Sequence, residues 1–206
     1  MKFSDDIEKL LPLGYIFLVI MGILKDSFFY YQLGINILKY STIMDILMSP
    51  IAEFTSNPII LTAIILLFGF HYYLPSLLLK YNNSRLVQKA FELKSTEGLS
   101  INETKSYFNS IAIKSLAIFL CSFFLGYGVA GGYFTSKKIK NDKIKCNYKL
   151  NYNSGESKEI YLINTNSLYY FYISKGSKTI EIAPLASIKN IELTDNKMLE
   201  LNSIKL

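Results

Sequence analysis

The sequence holds one arginine, Arg85, one histidine, His71, and two cysteines, Cys121 and Cys146. Each scarcity excludes something. Nucleic-acid readers rely on the planar fork of arginine to match phosphates and guanine edges, so a basic chain built on lysine is not expected to bind nucleic acid. The two cysteines share no Cys-x-x-Cys spacing, which argues against a disulfide scaffold or a thiolate metal site. A lone histidine without neighbouring carboxylates falls short of the usual metal ligand count. Charge is also scarce: 18% of residues are Asp, Glu, Lys or Arg, against 50% hydrophobic, where soluble domains carry about 25% charged residues. That excludes a disordered chain and points to a membrane protein.

The charge present is unevenly placed. Residues 1–134 carry ten Lys/Arg against nine Asp/Glu, whereas residues 135–206 carry twelve Lys against seven Asp/Glu. A lysine-only basic tail suits a solvated surface or anionic lipid headgroups. Abundant Lys, Asn, Ile and Tyr with little Arg fits an AT-rich bacterial genome.

Three stretches are long enough to cross a bilayer, which takes about 20 apolar helical residues. The first is uncharged from Leu10 to Leu24, meets Lys25 and Asp26, and continues apolar to Leu33; the second is uncharged from Phe54 to Leu79; the third, from Ser115 to Ser136. A cleaved signal peptide is the rival reading of the first. Its leading residues, Met1 to Lys9, are net acidic and no small-x-small site follows Leu24, which argues against cleavage.

Between the first two spans, Ile37, Tyr40, Met44, Leu47 and Met48 share one helical face, opposite Lys39, Thr42, Asp45 and Ser49. This predicts an amphipathic helix over residues 35–49, stopped by Pro50, lying in the membrane interface or packed back on the spans. The connection 80–109 is polar. Leu86, Val87, Ala90, Phe91 and Leu93 repeat at helical spacing up to Gly98, and Ser100 to Glu103 reads as a capping box opening a long helix from Ile101 to about Phe134.

From Lys137 the period changes to two. Cys146–Tyr152, Glu159–Asn164, Leu168–Ser174, Thr179–Pro184 and Ile188–Leu193 alternate between Asn-, Gly- and Ser-rich breaks. The expected fold is therefore a membrane α-helical region (1–136, with three transmembrane helices and the amphipathic helix) followed by a small all-β domain (137–206), a meander or small barrel. A domain of that size buries little core and is expected to dock on the membrane or a partner.

Few residues carry chemistry. Gly126-Tyr127-Gly128-Val129-Ala130-Gly131 spells G-x-G-x-x-G, but inside an apolar span no phosphate can be cradled, so no nucleotide or other cofactor is expected. Gly126, Gly128, Gly131 and Gly132 instead predict close helix packing, against the first or second span or, in the sharper alternative, a second copy. Lys25, Asp26 and His71 are the candidate intramembrane polar residues. Lys25 and Asp26 point about 100° apart, so simple mutual neutralisation is not expected. Asp26 lies about 24 Å along its helix from Leu10, and His71 about 21 Å from Asn57 towards the opposite side, which separates them in depth. His71, Tyr72 and Tyr73 suggest an aromatic belt, as do Phe28 to Tyr31, while Tyr169 to Tyr172 reads as strand core. Pro75 predicts a kink by freeing the His71 carbonyl.

No H-E-x-x-H, G-x-S-x-G or phosphate loop is present. The expectation is a non-enzymatic multi-pass protein of the bacterial inner membrane, an accessory, scaffold or sensor subunit whose partners are the bilayer and either another protein or its own copies. An oligomeric pore or transport subunit assembled through the glycine-rich third helix is the alternative. A lipid enzyme using Asp45 and Glu53 ranks last. Lysine placement favours a cytoplasmic N-terminus and an external tail, against the pull of Lys137, Lys138, Lys140, Lys143 and Lys145 directly after the third span.

Overall fold

A computed structural model describes residues 3–96 and 98–195, with side chains from Pro12 onward. The acidic N-terminal residues and the end of the tail, 196–206, lie outside the described side chains. Five α-helices precede a five-stranded sheet: α1 (Phe3–Tyr31), α2 (Ile43–Ser56), α3 (Pro58–Tyr81), α4 (Arg85–Phe91) and α5 (Ile101–Lys140), then β1 (Tyr148–Tyr152), β2 (Ser157–Thr165), β3 (Tyr169–Ser174), β4 (Ile180–Pro184) and β5 (Ile188–Leu193). Three of the helices, α1, α3 and α5, are long and apolar enough to cross a membrane.

Helix α1 runs uninterrupted through Lys25 and Asp26. It ends in a Schellman motif: the Ile35 amide donates to the Tyr30 carbonyl (3.0 Å) and the Gly34 amide to the Tyr31 carbonyl (3.0 Å). Gly34 takes φ +76°, the left-handed conformation this stop requires. A single 3-10 turn, Ile37–Lys39, follows.

The amphipathic helix over 35–49 is corrected in both its ends. Thr42 and Asp45 form a capping box that starts α2 at Ile43, and α2 passes through Pro50 to Ser56. Pro50 leaves the carbonyl of Ile46 without its helical donor, yet the ring is buried in the helix packing. Asn57 then caps α3, with Pro58 in its first turn and the Ile59 amide donating to Asn57 Oδ1 at 3.1 Å.

The connecting helix ends earlier than Gly98: α4 stops at Phe91, where Glu92 adopts a left-handed conformation. The capping box predicted at Ser100 and Glu103 is present, with Ser100 N donating to Glu103 Oε2 at 2.8 Å. Helix α5 continues to Lys140, so the expected boundary at 136 falls within a helix.

Met21, Ile60, Ile64, Leu120 and Phe124 form the shared core of α1, α3 and α5. Nearer α4, Leu74, Leu78, Phe108 and Ala112 make a second core with Val87, Phe91 and Leu93.

The sheet is antiparallel with strand order β4-β3-β2-β1-β5. Strands β1 to β4 form a meander, and β5 returns to pair with β1. Among the described residues it is an open sheet, so a meander is correct and a closed barrel is not. Alternation sends Leu150, Ile160, Tyr172 and Ala183 into one cluster. Phe171 points to the other face and packs with Tyr30 and Ile37 at the end of α1. The sheet thus sits on its own helices.

Candidate functional site

The junction of α1, α2 and the sheet gathers Lys25, Asp26, Asp45 and Glu53. Lys25 and Asp26 extend from α1, Ser49 and Glu53 from α2, and Tyr127 from α5. Ser49 and Glu53 stand four residues apart, one turn, so α2 presents both to the same neighbour. The Lys25 ammonium donates to Ser49 Oγ (3.0 Å) and pairs with Glu53 Oε2 (3.0 Å). The Ser49 hydroxyl in turn donates to Asp26 Oδ1 (2.9 Å). Lys25 Nζ also lies 3.6 Å from Asp26 Oδ1, so the adjacent pair does associate, because Ser49 draws both side chains to one point. The Tyr127 hydroxyl donates to Glu53 Oε1.

Asp26 is 9% exposed. Helix α1 does not end before Lys25 and Asp26, and α2 supplies their polar partners through Ser49 and Glu53. Packed back on the spans, α2 turns Ser49 and Glu53 towards α1. Met44 and Met48 are exposed, whereas Ile46 is buried and Ser49 joins the cluster.

Above the cluster, the β2–β3 turn is fastened to the start of α2. The Ser167 amide and hydroxyl donate to the Asp45 carboxylate, each at 3.0 Å. The Asn166 side-chain amide donates to the Tyr40 carbonyl at 3.0 Å, while its Oδ1 accepts from the Leu168 and Tyr169 amides. Burial raises the pKa of the Asp45 carboxyl, but hydrogen bonds from Thr42 and Ser167 outweigh it and hold the group below its ordinary value. Aromatic contacts reinforce the dock. Tyr30 and Phe171 ring centroids lie 5.0 Å apart, and Tyr40 meets Tyr169 edge-on at 5.6 Å. Tyr30 is buried beneath the sheet, which corrects its place in an aromatic belt.

A cavity of about 340 Å³ opens between these elements, lined by Lys25, Asp26, Asp45, Ser49, Glu53 and Asn164 among others. A second, of about 250 Å³, lies on the α5 side and shares Lys25, Asp26, Glu53 and Asn164. The charged cluster is thus flanked by space on both sides.

The other candidate residues lie elsewhere. His71 is buried between α3 and α5, with Nδ1 2.9 Å from the Leu67 carbonyl and Nε2 3.2 Å from Ser115 Oγ. It therefore parts company with Tyr72 and Tyr73, which are exposed. Pro75 lies within the continuous α3. A Cβ at Gly128 or Gly132 would collide with the carbonyl oxygens of Lys25 and Phe29 respectively, and one at Gly131 would stand 3.3 Å from the Phe29 ring. These three glycines line the approach of α5 to α1. Gly126 has nothing within 4 Å, so the packing role expected of it is not found.

Sequence reasoning left Ser49, Tyr127 and the Asn164–Ser167 turn out of the site and gave Glu53 no partner. The signal available was Asp45, Ser49 and Glu53 at intervals of four. Among the described residues no group of three His, Cys, Asp or Glu side chains is placed to hold a metal ion. No family model, curated protein or solved structure matches the chain.

Proposed function

We propose that this chain is a non-enzymatic multi-pass membrane protein, a sensor or accessory subunit whose β module reads out the state of its own helices. The membrane part is supported by solvent preference. In the most apolar windows of α1, α3 and α5, 17%, 17% and 22% of residues are buried. Leu13, Ile59, Leu66, Ile113 and Ile118 are all more than half exposed. Contiguous apolar surface on that scale needs hydrocarbon or a partner to cover it. The proposed setting is the bacterial inner membrane, with the N-terminus cytoplasmic and the β module outside.

The observation that carries the sensor reading is the double attachment of the β2–β3 hairpin, through its turn and through β3. Ser167 is bonded to α2 through Asp45, while Phe171 packs on Tyr30 of α1. Any displacement of α1 against α2 is thereby delivered to the sheet, and the edges β4 and β5 remain for a partner. A pore assembled through the glycine-rich α5 gains no such support, because Gly128 and Gly132 are already engaged by α1.

The test is carbonate extraction of membranes, followed by crosslinking and purification in detergent. The chain should stay with the membrane pellet and carry a stoichiometric partner. Release by carbonate overturns the membrane reading, and a partner-free monomer overturns the subunit reading.

A further inference from the structure

The end of the helical region away from the sheet carries six exposed cations, Lys80, Arg85, Lys89, Lys94, Lys105 and Lys114. Among the described residues none of them forms an ion pair. The stretch 80–114 holds three acids, Glu92, Glu97 and Glu103, and Glu103 accepts from the Ser100 amide in the cap of α5. Apolar side chains are exposed in the same stretch: Leu86 is 81% exposed and Ile101 87%.

Helix α4 orders the two kinds of side chain. Val87 and Phe91, one turn apart, pack with Leu74, Leu78, Phe108 and Ala112. Arg85 and Lys89 are also one turn apart and fall on the opposite side of the helix, with Leu86 beside them. The packing on Leu78 also sets the depth. From Pro58 to Leu78, α3 rises about 30 Å, the thickness of a hydrocarbon core. Tyr72 and Tyr73, exposed on α3, are side chains that favour such a boundary. When α3 spans a bilayer, α4 therefore lies where acyl chains give way to headgroups.

We propose that α4 docks anionic phospholipids, with Arg85 and Lys89 on the headgroup phosphates and Leu86 on the acyl chains. Interfacial helices bind through this pairing of basic and apolar side chains. A zwitterionic headgroup brings a cation of its own to Arg85 and Lys89, so phospholipids of net negative charge are preferred. An acidic protein surface would match the charge but not Leu86 or the depth. The proposal rests on the membrane reading and adds to it the lipid class and the place of contact.

The sequence has no tryptophan, so Leu86→Trp gives the full chain one indole at this surface. Ile59→Trp, at a residue 80% exposed at the other end of α3, gives a reference. Each variant is reconstituted into vesicles of phosphatidylcholine mixed with phosphatidylglycerol, one lipid or the other brominated, and quenching of the indole is read. At the Leu86 site phosphatidylglycerol should be favoured by about fivefold or more, and at the Ile59 site it should not. Arg85→Gln with Lys89→Gln, both at exposed side chains, should bring the preference back towards parity, and so should high salt. Equal quenching by the two lipids at the Leu86 site overturns the proposal and leaves the membrane reading standing. So does a preference that survives the paired substitution, or one that is the same at both sites. Quenching at the Ile59 site alone takes α4 out of the lipid, leaves its charge to an acidic protein, and overturns the proposal. Quenching by neither lipid at either site overturns the membrane reading as well.

Discussion

Gly22 of α1 lies against the carbonyl oxygen of Ile46 in α2, with no room between them for a Cβ. Ile46 is the residue whose carbonyl Pro50 deprives of a helical donor. A proline that would ordinarily weaken a helix and a glycine that would ordinarily loosen one therefore meet at a single contact, and α2 is held close enough to α1 for Ser49 and Glu53 to reach Lys25.

That contact predicts a split among the helix glycines. Gly22→Ala and Gly128→Ala should each destabilise the folded protein by about 1–3 kcal/mol, the usual cost of overpacking. Gly126→Ala meets open space and should be neutral or stabilising by about 0.5–1 kcal/mol, since alanine favours the helix. Thermal unfolding of the three variants in one detergent checks the contrast. Equal effects at Gly126 and Gly128 would remove the packing argument.

Ser49 is the hinge of the charged cluster. Its hydroxyl accepts from Lys25 and donates to Asp26, both bonds to charged groups, which contribute about 1.5–3 kcal/mol each. Ser49→Ala should cost about that much in total, because Lys25 keeps Glu53. Ser49→Thr keeps the hydroxyl and should recover most of the loss. A double-mutant cycle with Asp26→Asn should show coupling well above the scatter expected for independent sites, about 0.5 kcal/mol.

Much of this architecture was legible in the sequence. The five strands fall close to the expected segments because a period of two and Asn-Gly-Ser breaks are local signals that survive packing. The Ser100–Glu103 cap was legible for the same reason. The amphipathic character of α2 is legible, but the sequence shows only that a stripe is polar and not which side chains it meets. Asp45, Ser49 and Glu53 line a polar junction together with Met48, while Met44 is exposed. Pro50 reads as a stop because its cost is local, whereas the packing of α2 on α1 at Gly22 involves a residue far away in the chain. His71 was placed with Tyr72 and Tyr73 by adjacency, but its Ser115 partner comes from α5.

Orientation gives the third prediction. Alkaline phosphatase folds only after export, so its fusion after Asp195 should be active if the β module is external. The cluster Lys137, Lys138, Lys140, Lys143 and Lys145 resists that placement under the positive-inside rule. Three of those lysines lie at the end of α5 itself, and long domains translocate with less regard for charge. An expressed but inactive fusion reverses the topology.

The clamp between Asp45 and Ser167 should open in acid. Its carboxyl is held below the ordinary value of 3.8 by donors from Thr42 and Ser167 that outweigh burial. A group depressed in the folded state contributes its stability above the unfolded value and loses it as pH falls through the lower folded value. The turn should therefore remain docked at neutral pH and begin to release only well below pH 4. Hydrogen exchange at the Ser167 amide, which donates to Asp45 Oδ1, is the direct readout. Other carboxylates titrate in the same window, so the comparison is with Asp45→Asn, which keeps an acceptor but has no charge to lose. That variant should show faster Ser167 exchange at neutral pH, with α2 weakened by about 1 kcal/mol through its impaired cap. Its exchange should change less on acidification than that of the unaltered chain. Parallel pH profiles for the two proteins would mean that Asp45 does not hold the sheet to the helices.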